Sequence, residues 1–326
     1  MLFGKFCAPL AVLVITRTAF TQQTIPGFSG LMFGDYYYNF RSSNQSFKNM
    51  HGFQYRRIYL TADYDVAKNF TARFRLESDP STSNLGNGKL SVTMKDAYLD
   101  WKEPYPGCNI VIGLQGTWSI NTAEEIFGYR SLEKTIQDLH GISDPRSLGV
   151  SLTQKFSDVL AASLLIGNPP KAEPNKYKRA YVMLRFKPAS DFDLVVDGDY
   201  SGVPEKKNIK TAEIIANYGN KVVSLGVQAY MQTIDSGQVD GTTLTSYGIS
   251  LNGWVSLIEG LRLVARYDSW DADAKTRDDA QDLIIAALDF AARKNVHFIP
   301  NIEIVMYENS ALKVDVTVRA TVYFTF

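Results

Sequence analysis

Long hydrophobic runs are missing from this sequence. Beyond the N-terminal region no stretch of about 18 to 20 apolar residues without a charge occurs, so no membrane-spanning helix is expected. Cysteine is almost absent: Cys7 and Cys108 are too few for a disulfide framework. The three histidines, His51, His140 and His297, stand apart, with no HExxH, CxxC or helical His pair, so neither a metal centre nor a cofactor is expected. No charge of one sign prevails, with 34 Lys and Arg against 34 Asp and Glu, and no basic cluster marks a nucleic-acid-binding face. A 45% hydrophobic content meanwhile excludes a disordered chain.

The N-terminus reads separately from the rest. Lys5 precedes an apolar run from Cys7 to Ile15, and the small residues Ala19 and Thr21 stand before Gln22, the order of a secretory signal and its cleavage point. The expected division is a cleaved signal peptide at 1–21 and one mature domain at 22–326. Arg17, behind the apolar run, departs from that pattern and leaves a buried first strand as the alternative. Cleavage removes Lys5, Arg17 and Cys7, leaving 32 basic against 34 acidic residues and Cys108 without a partner.

From Tyr36 to the last residue, apolar and polar side chains alternate in segments of about ten with turn-forming residues between them. At the C-terminus Val314, Val316, Val318, Ala320, Val322, Phe324 and Phe326 share one parity; Asp315, Thr317, Arg319, Thr321, Tyr323 and Thr325 share the other. Ile58, Leu60, Ala62 and Tyr64 stand in the same way against Arg57, Tyr59, Thr61 and Asp63. A strand turns successive side chains to opposite faces, so each segment has an oily face and a wet one. Soluble sandwiches alternate too, but their strands run nearer to five or six residues.

Segments at 28–41, 52–66, 70–79, 90–102, 108–119, 148–156, 159–168, 179–187, 191–200, 211–218, 221–232, 244–257, 261–270, 282–292, 296–307 and 312–326 give about sixteen strands, the even number that single-chain bacterial barrels have. Very short connections such as Ala67–Asn69, Gly219–Asn220 and Glu259–Gly260 alternate with longer polar ones at 42–51, 80–89, 120–147, 169–178, 201–210, 233–243 and 271–281. Strands can cross hydrocarbon only if the sheet closes, because every backbone N–H and C=O then finds a partner. The expected fold is therefore all-β: a transmembrane antiparallel up-and-down β-barrel whose oily parity meets outer-membrane lipid. At about 16 to 18 strands such a barrel leaves an aqueous channel, and passive diffusion of small hydrophilic solutes or ions is the expected function.

On the wet parity stand Arg57, Arg73, Arg75, Arg185, Arg262, Arg266 and Arg319 with Asp63, Glu77, Asp197 and Glu303, joined by Asp193, Glu213, Asp268 and others. These charges are costly in lipid and at home in water. Two readings stay open: cross-strand pairs that neutralise one another, or contacts for a permeating solute. With both signs mixed, weak charge selectivity is expected. Trp101, Trp118, Trp254 and Trp270 fall near expected strand ends, where an interfacial aromatic girdle belongs.

Between 120 and 147 the alternation stops, and Glu124, Glu125, Arg130, Glu133, Lys134, Asp138, His140, Asp144 and Arg146 crowd one segment. Such a length and charge exceed what a plain connector needs. Ser131–Leu139 has helical propensity, with Ser131 as its cap. The functional reading is an inward-folded third loop that constricts the lumen; the alternative is a solvated external lid.

The stretches Phe53–Leu60 (FQYRRIYL), Lys95–Trp101 (KDAYLDW), Phe127–Thr135 (FGYRSLEKT) followed by Ser147–Val150 (SLGV), and the terminal Tyr323–Phe326 (YFTF) together resemble the phosphate-selective O and P type outer-membrane porins over nearly the whole mature chain. The resemblance implies a sixteen-stranded barrel, usually a homotrimer, with an inward third loop, and it implies that Phe324 and Phe326 form the signal read by the barrel-assembly machinery. Carried over residue by residue, it makes Arg130, Lys134 and Arg146 candidate solute contacts. Phosphate-selective members carry runs of Lys and Arg along the channel, whereas this wet parity mixes signs. An outer-membrane enzyme such as a lipid hydrolase would need a nucleophile oriented by a histidine; His297 near Pro300 and Asn301 has no such constellation by spacing, and no enzyme is expected. An adhesin or structural barrel would call for longer outward loops.

Overall fold

A computed structural model describes residues 25–80, 91–168, 177–202 and 208–326. The expected signal peptide at 1–21 lies outside the described residues, as do parts of the connections expected at 80–89, 169–178 and 201–210.

Where the period-two pattern runs, the chain forms strands: β1 (Gly27–Arg41), β2 (His51–Ala67), β3 (Phe70–Ser78), β4 (Thr93–Lys102), β5 (Cys108–Gly116), β6 (Arg146–Lys155), β7 (Leu160–Gly167), β8 (Arg179–Ala189), β9 (Phe192–Ser201), β10 (Ile209–Gly219), β11 (Val223–Ile234), β12 (Leu244–Ile258), β13 (Leu261–Asp271), β14 (Gln281–Arg293), β15 (Val296–Tyr307) and β16 (Asp315–Thr325). Each pairs antiparallel with its sequence neighbours, and β1 pairs with β16, so these sixteen strands close into one up-and-down barrel without an edge. Backbone bonds in both directions between Gly30 and Phe326, at 3.0 and 3.1 Å, tie the chain end into that seam. Left-handed residues make the tight turns, among them Asn69 (φ 66°) between β2 and β3.

Exposure alternates along each strand as the pattern requires. On β8, Val182 and Leu184 are 56% and 55% exposed while Tyr181 and Met183 between them are 2% and 7%. The outward parity is an apolar belt (Leu225, Leu251, Leu263, Leu288, Phe298) that only hydrocarbon can cover without cost. The inward parity is not polar all round, as the sequence pattern suggested. Val195, Ile215, Val264, Leu283, Ile285 and Ile299 point inward from β9, β10, β13, β14 and β15. They are buried because the segment joining β5 to β6 packs on them.

Two of the bulges re-aim a charged residue. In β2, Phe33 pairs with Arg57 and Gly34 with Tyr55, leaving Arg56 as the extra residue. In β4, Arg75 pairs with Asp96 and Leu76 with Met94, leaving Lys95. A bulge re-aims a side chain, and here both extra residues turn into the barrel, where strict alternation would have sent them into lipid.

Candidate functional site

Residues 117–145 build the interior. The expectation of a strand as far as 119 fails at Gly116: Thr117 is an extended cap and Trp118–Phe127 forms α1. Its inner face repeats at helical spacing as Ile120, Ala123 and Phe127; Ile120 is buried, and Ala123 and Phe127 pack against Met183, Val195 and Ile215 of the wall. Gly128 ends it in a left-handed conformation (φ 75°), its N–H bonding Glu124 O at 3.0 Å. The helix expected at Ser131–Leu139 shrinks to α2 (Ile136–Leu139), with Thr135 and not Ser131 at the N-cap position, where its hydroxyl makes no cap bond. The cause is competition for carbonyls: Arg56 takes those of Ser131 and Leu132, and Arg266 takes that of Lys134.

Apolar seats hold the segment along its length. Leu132 and Tyr129 pack against Val264, Leu283, Ile285 and Ile299; Ile136 and Ile142 pack against Tyr230 and Trp270. Polar tethers add to these: Tyr129 donates to Asp289 at 2.9 Å, Gln232 donates to Ile142 O at 2.7 Å, and His140 stacks on Trp270 with 3.9 Å between ring centres. The partners run from β8 round to β16 and on to Arg56 of β2, which places the segment across the inside of the barrel. A void of only about 40 Å³ remains between it and β11–β14. Three of the four tryptophans therefore do not form a girdle: Trp118 opens α1, Trp254 and Trp270 face inward under the segment, and Trp101 alone is outward, stacked on Phe70.

What the segment leaves open lies against β1–β6. A cavity of about 380 Å³ is lined by Arg57, Arg73 and Arg75 of the wall, Arg146 of β6, and Glu124, Glu125 and Arg130 of the segment. A second cavity, of about 710 Å³, extends past Asp100, Lys102 and Lys155. Both are lined by Tyr98, Gly116 and Asn121, so they adjoin.

The arginines that line the 380 Å³ cavity have carboxylate partners. Arg57 pairs with Glu77 (3.3 Å), Arg73 with Asp63 (2.7 Å) and Arg75 with Asp96 (3.2 Å). Arg146 also holds Asp96, at 2.5 Å; it begins β6 opposite Gly116 and so belongs to the wall, not the loop. Arg130 bonds Glu124 at 2.8 Å and Asp138 at 3.4 Å. Glu125 reaches the other way, to Arg185, which also binds Asp193. Arg266 pairs with Asp268, and Arg319 with Glu303. Arg262 lies over the Trp254 ring, 3.9 Å from its centre. Lys134 is the most exposed cation of the segment, 4.0 Å from Asp138. Asp197 is buried beside Glu213 of β10, away from both cavities.

Glu133 does not face the 380 Å³ cavity. It binds Arg56 at 3.0 Å and accepts from Lys134 N–H. Burial pushes its carboxyl up, but Arg56, that backbone bond and Arg319 outweigh burial and hold it below the ordinary 4.5. Burial against Trp270 lowers the His140 imidazole from 6.5 to about 4. Two inward cations escaped the sequence pattern, Arg56 and Lys95; the latter binds Glu77 at 2.9 Å. The signal was local, an Arg-Arg and a Lys-Asp pair that put a charge on each parity at once. His297 bonds Asp289 at 2.7 Å and meets Lys294 O, a wall contact. Phe326 is outward and 65% exposed.

No family model matches the chain, and no curated protein matches it by sequence. Solved structures do share the fold. An anion-selective porin from Comamonas acidovorans superposes with a TM-score of 0.68 at 11% identity, over 93% of this chain and 99% of that one. The outer membrane channel DcaP of Acinetobacter baumannii gives 0.67 at 11% identity, over 92% and 97%. The trimer form of OmpT, an outer membrane protein of Vibrio cholerae, gives 0.64 at 12%, over 93% and 99%. At these identities the likeness is one of fold.

Proposed function

We propose that the chain is a porin of a bacterial outer membrane, through which small hydrophilic solutes or ions diffuse between the segment 117–145 and the wall formed by β1–β6. The observation that carries this reading is the pair of adjoining cavities, lined by ionic side chains, along β2–β6, on the side of the barrel where the segment has no apolar seat. The fold shared with an anion-selective porin and with an outer membrane channel supports it. The segment is the constriction. Arg130, Glu124 and Glu125 on the segment and Arg57, Arg73, Arg75 and Arg146 on the wall meet the solute, and Lys134, the most exposed cation of the segment, is a further contact. Glu133 acts only by holding the segment in place.

Selectivity is weak, because each wall guanidinium has a carboxylate within 3.3 Å. Phosphate specificity would need unpaired cations in series, and this wall has paired ones. A homotrimer, as in the trimer form of OmpT, insertion through a C-terminal signal at Phe324 and Phe326, and secretion by way of residues 1–21 complete the proposal. The test is a planar bilayer carrying the purified mature chain. Stepwise ionic current with a small reversal potential in a salt gradient is expected; electrical silence together with hydrolysis of the bilayer lipid would replace the pore with an enzyme.

A further inference from the structure

Beneath α2 two acids sit in the wall without a cation. Asp197 of β9 and Glu213 of β10 are register partners, 7% and 3% exposed. Among the described residues no Lys, Arg or His forms an ion pair with either. Gln228 of β11 donates from Nε2 to Glu213 Oε1 at 2.5 Å. Gln137 of α2, with no exposed surface, lies beside the same carboxyl from the segment side, and neither its Nε2 nor its Oε1 has a hydrogen-bond partner among the described residues. Asp197 Oδ2 and Glu213 Oε2 are buried and have no hydrogen-bond partner in the structure. Every other charged group near the pair is already matched: Asp199 by Arg179, Asp138 of α2 by Arg130, and Asp268 by Arg266. Tyr230, opposite Glu213 on β11, is the remaining titratable neighbour.

Two carboxylates side by side in a water-poor site cannot both stay ionised, because neither hydration nor a counter-ion offsets their repulsion. One proton between them resolves this. The protonated acid donates to its neighbour, Gln228 already donates to Glu213, and the unpartnered Gln137 amide is the further donor available to the remaining charge. Gln137 is then the feature that matters, since it joins this pair to the segment that lines the pore.

We infer that Asp197 and Glu213 share a single proton that seats α2 on the wall, and that loss of this proton to water at alkaline pH lifts α2 and unsettles the constriction. The effect on current rests on the pore reading; the seating of α2 does not. Hydrogen–deuterium exchange of the peptide covering 133–142 therefore tests the seat directly, at pH 6 and pH 10, corrected for the intrinsic rate of exchange. Protection of this peptide is expected to fall at least about tenfold at pH 10 in the native chain while the β-strands keep theirs. It should stay constant in Asp197→Asn, and likewise in Glu213→Gln, a second variant in case the first does not fold. The inference is overturned by unchanged protection at pH 10, by equal loss in native chain and variants, or by release of the peptide with EDTA at pH 7, which would put a metal cation where the proton is placed. In a bilayer the native channel should become noisier over the same pH range and the variants should not. A channel that conducts but ignores pH sinks the latch alone; a chain that never conducts yet shows the exchange effect sinks the pore reading alone.

Discussion

Arg56 is the residue whose removal separates tethering of the inner segment from stability of the barrel. Its guanidinium bonds Ser131 O at 3.0 Å, Leu132 O at 2.7 Å and Glu133 Oε2 at 3.0 Å. Arg56→Met keeps the stem and its packing but strands a carboxylate and two carbonyls. Breaking a buried pair from one side costs about 3–5 kcal/mol. The two side chains are 12% and 15% exposed, so water recovers part of that, and about 2–3 kcal/mol is expected. The open population of residues 129–135 should then rise about 30- to 150-fold, read as faster hydrogen exchange of that peptide and as open-channel noise, with strand protection unchanged. Adding Glu133→Gln should recover part of the loss, because the stranded charge is gone.

The pH dependence follows from the same pair. Glu133 is held below 4.5, so its stabilising contribution is complete above pH 4.5 and disappears as pH falls through the depressed value. Without Arg56, burial remains to push the carboxyl up, and the loosening in acid should move to higher pH. Exchange of 129–135 that matches the native chain at neutral pH would refute the tether. Exchange that spreads through every strand would show Arg56 to be holding the barrel instead.

Three further outcomes are expected. His140 has its pKa lowered to about 4, so the undocked segment takes up a proton first, and docking of 136–142 should weaken as pH falls from 6.5 toward 4; His140→Phe should abolish this trend in exchange measured at pH 7 and pH 5. Leu184→Arg, in the middle of β8 on the outward parity, should destabilise the barrel by about 2–4 kcal/mol in urea unfolding from vesicles, whereas a protein that met water on that face would lose almost nothing. Glu124→Gln removes the carboxylate 2.8 Å from Arg130 in the 380 Å³ cavity, and the reversal potential in a salt gradient should shift toward anions; no shift would place Arg130 away from the ion path.

The barrel was legible because its rule is simple. Period-two segments of about ten, and short turns alternating with long ones, set the strand number and the closing pair, and the observed ends differ by only a few residues from β1 to β16. The expected end of β5 was wrong because Thr117–Ser119 continue an alternation while Ile120, Ala123 and Phe127 have already begun a helical one. The seat of the segment was in the sequence as well, as apolar residues on the wet parity: Val195 between Asp193 and Asp197, Val264 between Arg262 and Arg266. Each reads as noise until the interior is seen to hold a second layer. Arg56 and Lys95 were hidden for another reason, since a bulge inverts parity without any composition signal.

That second layer also decides how charge can act in the lumen. Segment 117–145 takes the part of the wall that carries the inward apolar residues, and the cavities are left against β1–β6, where the inward parity is ionic. There the countercharges sit 2.5–3.3 Å apart, on neighbouring strands or, for Arg146 and Asp96, one strand removed, well inside the ~8 Å over which salt screens at physiological strength. In the proposed pore a passing ion would thus meet fixed dipoles more than net charge, and steady selectivity is expected to be small. The pairs also stop the guanidiniums from folding back onto the wall or closing on a solute, so the passage stays lined by groups of known position. Selectivity in such a wall changes only when a partner is removed, and for that reason a neutralised glutamate on α1 says more about the ion path than any single arginine replaced in the wall.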